Sequence, residues 1–189
     1  MATFINYCNN GNINGIKQMS LKDCNLEKGF IKACIGGYYD IIRYLIELYK
    51  NDSSYRPVNI RANYEEGFKW ACNKGYYDIV QYLVELHKND DTYRPINIHS
   101  DNEYGFRWAC HKGYYDIVQY LVELHKNDNT YRFINIYADN EDGFKRACDN
   151  GHYIIANYLL RTTKNKKYGY NKQFNNYLMV FKKLDKYLL

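Results

Sequence analysis

The sequence lacks any long apolar run. No stretch approaches the roughly 18 apolar residues of a membrane helix, so we expect no membrane span. The opening letters, MATFINYCNNGNING, also lack the basic-then-apolar pattern of a secretory signal. These two absences predict an intracellular protein that works in the cytoplasm.

The sequence also lacks the motifs that usually carry chemistry. It has no nucleophile elbow, no phosphate-binding glycine loop and no pair of cysteines or histidines at zinc-ligand spacing. His87 and His125 share one position of a repeat, which favours a surface or loop role over that of a general base. We therefore predict no catalytic residue, no metal, no cofactor and no enzymatic activity.

What the sequence does contain is one stretch copied at a fixed interval. Gly67 to Leu86 reads GFKWACNKGYYDIVQYLVEL, and nearly the same letters return from Gly105. Looser copies begin at Gly29 and Gly143, so consecutive Gly-Phe pairs lie 38 residues apart. A fixed period of this size indicates an array of stacked repeats.

One copy contains two short helices and a long loop. The spacing of Phe68, Ala71 and Cys72 predicts a first helix with one apolar face, and Gly75 is placed to end it. The second helix has polar residues on one side and two adjacent apolar stripes, made of Tyr76, Ile79, Leu83 and Leu86 and of Val80 and Val84. Since one copy cannot bury both stripes alone, several copies must stack.

The array and the C-terminal tail differ in charge. We predict an array over 1–163, with repeats at approximately 3–25, 26–62, 63–100, 101–138 and 139–163.

The C-terminal tail is basic, whereas the rest of the chain is nearly neutral. From Arg161 onward there are eight basic residues and one acidic residue (+7), against 18 basic and 20 acidic residues elsewhere (−2). Apolar residues at helical spacing in 164–189 predict either a helix that caps the array or a basic amphipathic helix that binds a nucleic acid, an acidic membrane or a partner's groove.

The cysteines are predicted to be core residues and not disulfide partners. Cys34, Cys72, Cys110 and Cys148 occupy one repeat position, and Cys8 aligns with them. Equivalent positions on stacked helices lie about 8–10 Å apart, whereas a disulfide needs Cα atoms within roughly 7 Å. We therefore expect an interior row of small apolar side chains.

This unit resembles the ankyrin repeat. The family's TPLHxAAxxGHxxIVxxLL pattern aligns with Glu66 to Cys72, Gly75-Tyr76, Ile79-Val80 and Leu83-Val84. The Thr, Pro and His of that pattern are replaced here by Glu66, Gly67 and Lys69, and the period is five residues longer than the usual 33. The composition most resembles ankyrin proteins of amoeba-infecting giant DNA viruses.

The resemblance implies an all-α ankyrin-type solenoid of about five helix-turn-helix repeats, with long finger loops and a C-terminal capping helix. It also implies a monomer that binds a partner protein, a host protein if the viral resemblance holds, through its concave face. Nucleic acid is not the partner expected for the array, and a structural paralogue without a partner remains an alternative. The positions predicted to form the concave surface are Asn63, Glu65, Asn73, Lys74, Asp101, Glu103, His111, Lys112, Asp139, Glu141, Asp149 and Asn150.

Two further sets of residues repeat with the array. Trp70 and Trp108 share one position of the first helix, and we favour packing between repeats over an exposed interface role. Asn59, Asn97 and Asn135 match the loop asparagine of the family, and we expect their side chains to bond to the loop backbone.

Overall fold

The computed structural model describes residues 3–163. Within that range the regular elements are ten α-helices arranged as five consecutive pairs. The predicted all-α solenoid is therefore confirmed, while the predicted capping helix lies outside the described residues. The first helices of the pairs are α1 (Phe4–Asn9), α3 (Leu26–Gly36), α5 (Ala62–Lys74), α7 (Ser100–Lys112) and α9 (Ala138–Asp149), and the second helices are α2 (Ile13–Lys17), α4 (Tyr39–Asn51), α6 (Tyr77–Asn89), α8 (Tyr115–Asn127) and α10 (Tyr153–Thr163).

The first helices stack closely because α3, α5, α7 and α9 each have a glycine where the preceding first helix packs against them. A Cβ atom on Gly67 would lie 2.7 Å from Phe30 Cε1 and 3.1 Å from Cys34 Sγ. A Cβ atom on Gly105 would lie 3.0 Å from Cys72 Sγ. The Gly-Phe pair therefore works across repeats, since the phenylalanine and cysteine of one helix pack against the glycine of the next.

The second helices bury the stripes that the sequence predicts. Ile79, Val80, Leu83 and Val84 are all at most 2% exposed. Neighbouring second helices contact one another much less than neighbouring first helices do. A stack that is tighter on one side curves toward that side, so the first helices lie on the inside of the curve.

The cysteines form the expected interior row. Cys34, Cys72 and Cys110 are completely buried, and Cys148, in the last described repeat, is half-buried. All six cysteines of the described residues are free. Burial raises the pKa of Cys8 and Cys148 to about 12, so these thiols stay protonated and unreactive near neutral pH.

The long loops are held by two repeated polar contacts. The side-chain oxygens of Asn59, Asn97 and Asn135 each accept a hydrogen bond, 3.1 Å long, from the backbone N–H two residues on. This confirms the role expected for the loop asparagine. An aspartate holds the other end of the loop, since Asp90 accepts hydrogen bonds from Tyr49 Oη at 2.6 Å and from the Thr92 N–H.

Asp90 also ties one repeat to the next. Its carboxylate lies 2.6 Å from Lys50 Nζ, at the end of the preceding second helix. Burial alone would raise the pKa of Asp90, but the bonds from Lys50, Tyr49 and Thr92 hold it well below its usual range. The equivalent Asp128 forms an ion pair with Lys88, whose Nζ lies 3.1 Å from the carboxylate, and the pKa of Asp128 is likewise lowered.

The close contact at each glycine predicts that adding a methyl group there lowers stability, and lowers it more where the neighbouring helix is closer. Gly67→Ala should lower the free energy of unfolding by about 1–2 kcal/mol, because overpacking exceeds the gain in helix propensity. Gly143→Ala is the matched control, since its Cβ would lie 3.2 Å from Phe106 Cε1 and needs a much smaller shift. Urea unfolding measures both changes, and equal effects would contradict the packing described here.

The ionised Asp90 predicts a specific dependence of stability on pH. Its folded pKa is depressed, so its stabilisation is present at neutral pH and is lost as the pH falls through and below the usual aspartate pKa. Asp90→Asn should lower the free energy of unfolding by about 1–3 kcal/mol at neutral pH. The gap between variant and wild type should close as urea titrations move to acid. A gap that stays constant with pH would show that charge is not involved.

Candidate functional site

The candidate site is the exposed side of α3, α5, α7 and α9, called here the first-helix face. It lies on the inner side of the curve. It runs from the finger turns, which are the segments 63–65, 101–103 and 139–141 at the start of α5, α7 and α9, to the C-terminal ends of these helices. At its N-terminal end, a groove of about 330 Å³ lies between α3 and the following finger, lined in part by Lys28, Lys32, Asn63 and Glu66. This groove therefore joins two neighbouring repeats of the face.

Two tryptophans and several cations occupy the middle of this face. Trp70 and Trp108 hold equivalent positions on α5 and α7, and both are half-buried. Lys74 Nζ lies 5.7 Å from the centre of the Trp70 ring, and Lys112 Nζ lies 5.6 Å from that of Trp108. Both lysines are four residues after their tryptophan, which places them on the same side of the helix.

Trp108 has two further basic neighbours. The His111 ring stacks on it at 4.8 Å, and Arg146 Cζ from α9 lies 5.9 Å from its centre. Burial, together with the charges of Arg146 and Lys112, lowers the pKa of His111, so the imidazole is mostly neutral at neutral pH. The indole of Trp108 is therefore surrounded by an imidazole, an ammonium and a guanidinium group, and the contact with Arg146 links α7 to α9.

The twelve positions predicted to form the interaction surface divide by burial. Asn63, Lys74, Asp101, Lys112, Asp139, Asp149 and Asn150 are exposed, and His111 is half-buried. The expected exposure is wrong for the other four, because Glu65, Asn73, Glu103 and Glu141 are 4%, 8%, 4% and 1% exposed. Asn73 is buried near the C-terminal end of α5, and the glutamates are buried in the finger turns.

The buried glutamates stabilise an unusual backbone. Asn63, Tyr64 and Glu65 have φ of 53°, 57° and 59°, which is one turn of left-handed helix before the right-handed part of α5. The same turn recurs at 101–103 and 139–141. Each such residue costs about 1–2 kcal/mol, although asparagine and aspartate tolerate this region better than most.

The contacts of the glutamate carboxylates offset this strain. Glu65 Oε1 accepts a hydrogen bond from Arg61 Nε at 2.7 Å. Glu103 lies 2.9 Å from His99 Nδ1 and accepts the backbone N–H of Asn135 at 3.1 Å. Because a bond between a carboxylate and a buried donor is stronger than one between neutral groups, these residues are structural supports of the fingers.

The finger aspartates also have partners within the array. Asp101 pairs with Lys69 of the preceding first helix, and Asp139 pairs with Arg107 Nη1 at 2.7 Å. Lys69 and Arg107 occupy equivalent positions, so this ion pair repeats with the array. Both aspartates therefore link repeats, and they remain exposed at the edge of the first-helix face.

The family comparison agrees with this geometry. Residues 68–173, more than half of the chain, match the family model for ankyrin repeats in three copies. The chain belongs to the ankyrin-repeat family. No curated protein is similar enough to count as a match. The helix pairs before residue 68 pack in the same way, so the ankyrin architecture extends through the described residues toward the N-terminus.

Other classes of site find no support in residues 3–163. That range contains no group of three or more histidine, cysteine or acidic side chains arranged to hold a metal ion. It also contains no helix long and apolar enough to span a membrane.

Sequence reasoning missed the residues that most distinguish this ankyrin face. Trp70 and Trp108 were expected in the core, but neither belongs to the buried apolar cluster of the described residues. Tyr64 was not singled out, and its side chain is 79% exposed at a finger turn. The sequence contains a signal for this exposure. The position of Trp70 and Trp108 is occupied by the charged residues Lys32 and Arg146 in the flanking repeats, which indicates a position that is open to solvent.

The left-handed finger predicts an unusual response to glycine. Tyr64→Gly should raise the free energy of unfolding by roughly 0.5–1 kcal/mol, because glycine has no Cβ to strain at φ 57°. Tyr64→Ala is the control, since it removes the same ring but keeps the Cβ. Thermal unfolding compares the two. If glycine were no better than alanine, backbone strain at this position would be ruled out.

Proposed function

We propose that this ankyrin array is a non-catalytic protein-interaction module that binds a partner through its first-helix face. The observation that carries the proposal is the placement of Trp70 and Trp108 on the inner surface and outside the core. Tryptophan and arginine are enriched among the residues that dominate binding energy, and here Arg146 lies beside Trp108.

Tyr64 adds a second argument. A tyrosine held in left-handed backbone and 79% exposed contributes little to folding and strains the chain. At a finger turn such a ring is placed to contact a partner that lies along the first helices. Together with the exposed predicted residues Asn63, Lys74, Lys112, Asp149 and Asn150 and the half-buried His111, it defines the proposed contact surface.

The proposed module is the array, residues 1–163, acting as a monomer inside the cell. Residues 164–189 form a separate basic segment in this proposal. The resemblance to ankyrin proteins of giant viruses remains a prediction, and if it holds the partner is a host protein. Binding of nucleic acid or an acidic membrane through the basic segment is the competing hypothesis.

Quantitative capture from cell extract tests the proposal. The double variant Trp70→Ala/Trp108→Ala should lose proteins that the wild type retains, with affinity falling about thirtyfold or more, because it removes both anchors. Asp78→Asn/Asp116→Asn is the control, since it changes two exposed side chains on the second helices. Changing the seven lysines of 164–189 to glutamine should leave capture intact.

The outcomes separate the two hypotheses. Loss of capture in the lysine-to-glutamine variant, with retention in the tryptophan variant, would favour the basic segment. Thermal unfolding of each variant shows whether a loss of binding reflects a loss of folding. Identical captured proteins for a folded tryptophan variant and the wild type would reject the first-helix face as the binding surface.

A further inference from the structure

The chemistry of the first-helix face defines the kind of partner it fits. Lys74 and Lys112 are exposed, and neither forms an ion pair with any group in the part of the chain that the structure describes. Each is instead positioned near an indole ring. The other cations in the middle of this face are already paired, since Lys69 pairs with Asp101 and Arg146 Nε lies 2.5 Å from Asp142.

Lys74 and Lys112 are set at a distance fixed by the fold. They occupy equivalent positions on neighbouring first helices, and packed helices lie about 8–10 Å apart. A polyproline-II segment has three residues per turn with a rise of about 3.1 Å, so side chains three residues apart lie on one side, about 9 Å from each other. The spacing of the lysines therefore matches that of side chains i and i+3 in such a segment.

The indoles favour an apolar residue between the two charges. Trp70 and Trp108 lie beside the lysines and are half-buried, so their exposed edges give apolar contact area next to each cation. A lysine resting near an aromatic ring has also lost part of its conformational freedom before binding. Both features suit a short extended segment that carries carboxylates and apolar side chains.

The same residues argue against a nucleic acid on this face. The ring of Trp108 is already in contact with His111, Lys112 and Arg146, whereas stacking of bases needs open aromatic faces. In the middle of the face, Lys69, Arg107 and Arg146 are already paired with aspartates, so this part of the surface offers no continuous run of free cations for a phosphate backbone.

We propose that the first-helix face recognises an extended acidic protein segment, with carboxylates three residues apart contacting Lys74 and Lys112 and an apolar side chain against the tryptophans. This inference rests on the proposed function and names the chemistry of its partner. It also implies that binding requires no folded domain in the partner, since a single extended strand of chain spans the two helices.

The tryptophans provide a direct test. The chain has only two, and both lie in the proposed site, so their emission reports binding there. A synthetic peptide built on repeated Asp-Pro-Leu units places carboxylates three residues apart, and an Asn-Pro-Leu peptide is its uncharged match. We expect the aspartate peptide to change the emission and to bind by calorimetry, and the asparagine peptide to bind about tenfold more weakly.

Variants of the full chain assign the contacts. The double variant Lys74→Ala/Lys112→Ala should bind the aspartate peptide about tenfold more weakly or worse, because it lacks both charged partners of the peptide. Lys126→Ala is the matched control, since that exposed lysine lies on α8, away from the first-helix face, and should leave affinity unchanged. Thermal unfolding confirms that the variants remain folded.

Three results would overturn the inference. These are no binding of the aspartate peptide by either method, equal binding of the asparagine peptide, or tighter binding of an oligothymidine single strand. If cellular capture still depended on the tryptophans, the proposed function would stand while the acidic segment would be rejected as the partner. If capture did not depend on them, the proposed function itself would fail.

Discussion

The stack depends on the approach of neighbouring first helices through a glycine. Because Gly67 has no side chain, the ring of Phe30 and the sulfur of Cys34 can pack against the backbone of α5. The same contact recurs at Gly105 and Gly143, and it holds the first helices closer together than the second helices. The curvature of the array, and hence an inner face that collects side chains from several repeats, follows from this one contact.

Polar groups fix the register that apolar packing alone would leave loose. Buried glutamates hold the left-handed fingers in place, since Glu103 bonds both to His99 of its own finger and to the N–H of Asn135 in the next loop. At the opposite end of the repeat, Asp90 joins a loop to the preceding second helix. These two sets of bonds join neighbouring repeats at both ends of the repeat unit.

Periodicity made most of the fold predictable, and its failures have a common cause. Apolar stripes such as Leu83 and Val84, the terminal Gly75 and the interior cysteines could be predicted because each depends on local spacing along one helix. Glu65 and Trp70 could not be placed in this way. A charged residue at a helix start is normally solvated and a tryptophan is normally buried, but here a left-handed turn reverses the first expectation and the open inner face reverses the second.

The differences between copies then acquire a physical meaning. The second helices α6 and α8 are identical in sequence and therefore pack in the same way, whereas the first helices differ from copy to copy at positions on the inner face. The position held by Lys32, Trp70, Trp108 and Arg146 is of this kind, and it changes from cation to aromatic and back along the face. Such an alternation contributes nothing to a repeated core contact. It instead makes the middle of the inner surface chemically different from its ends, as a surface must be if a partner is to bind in only one register.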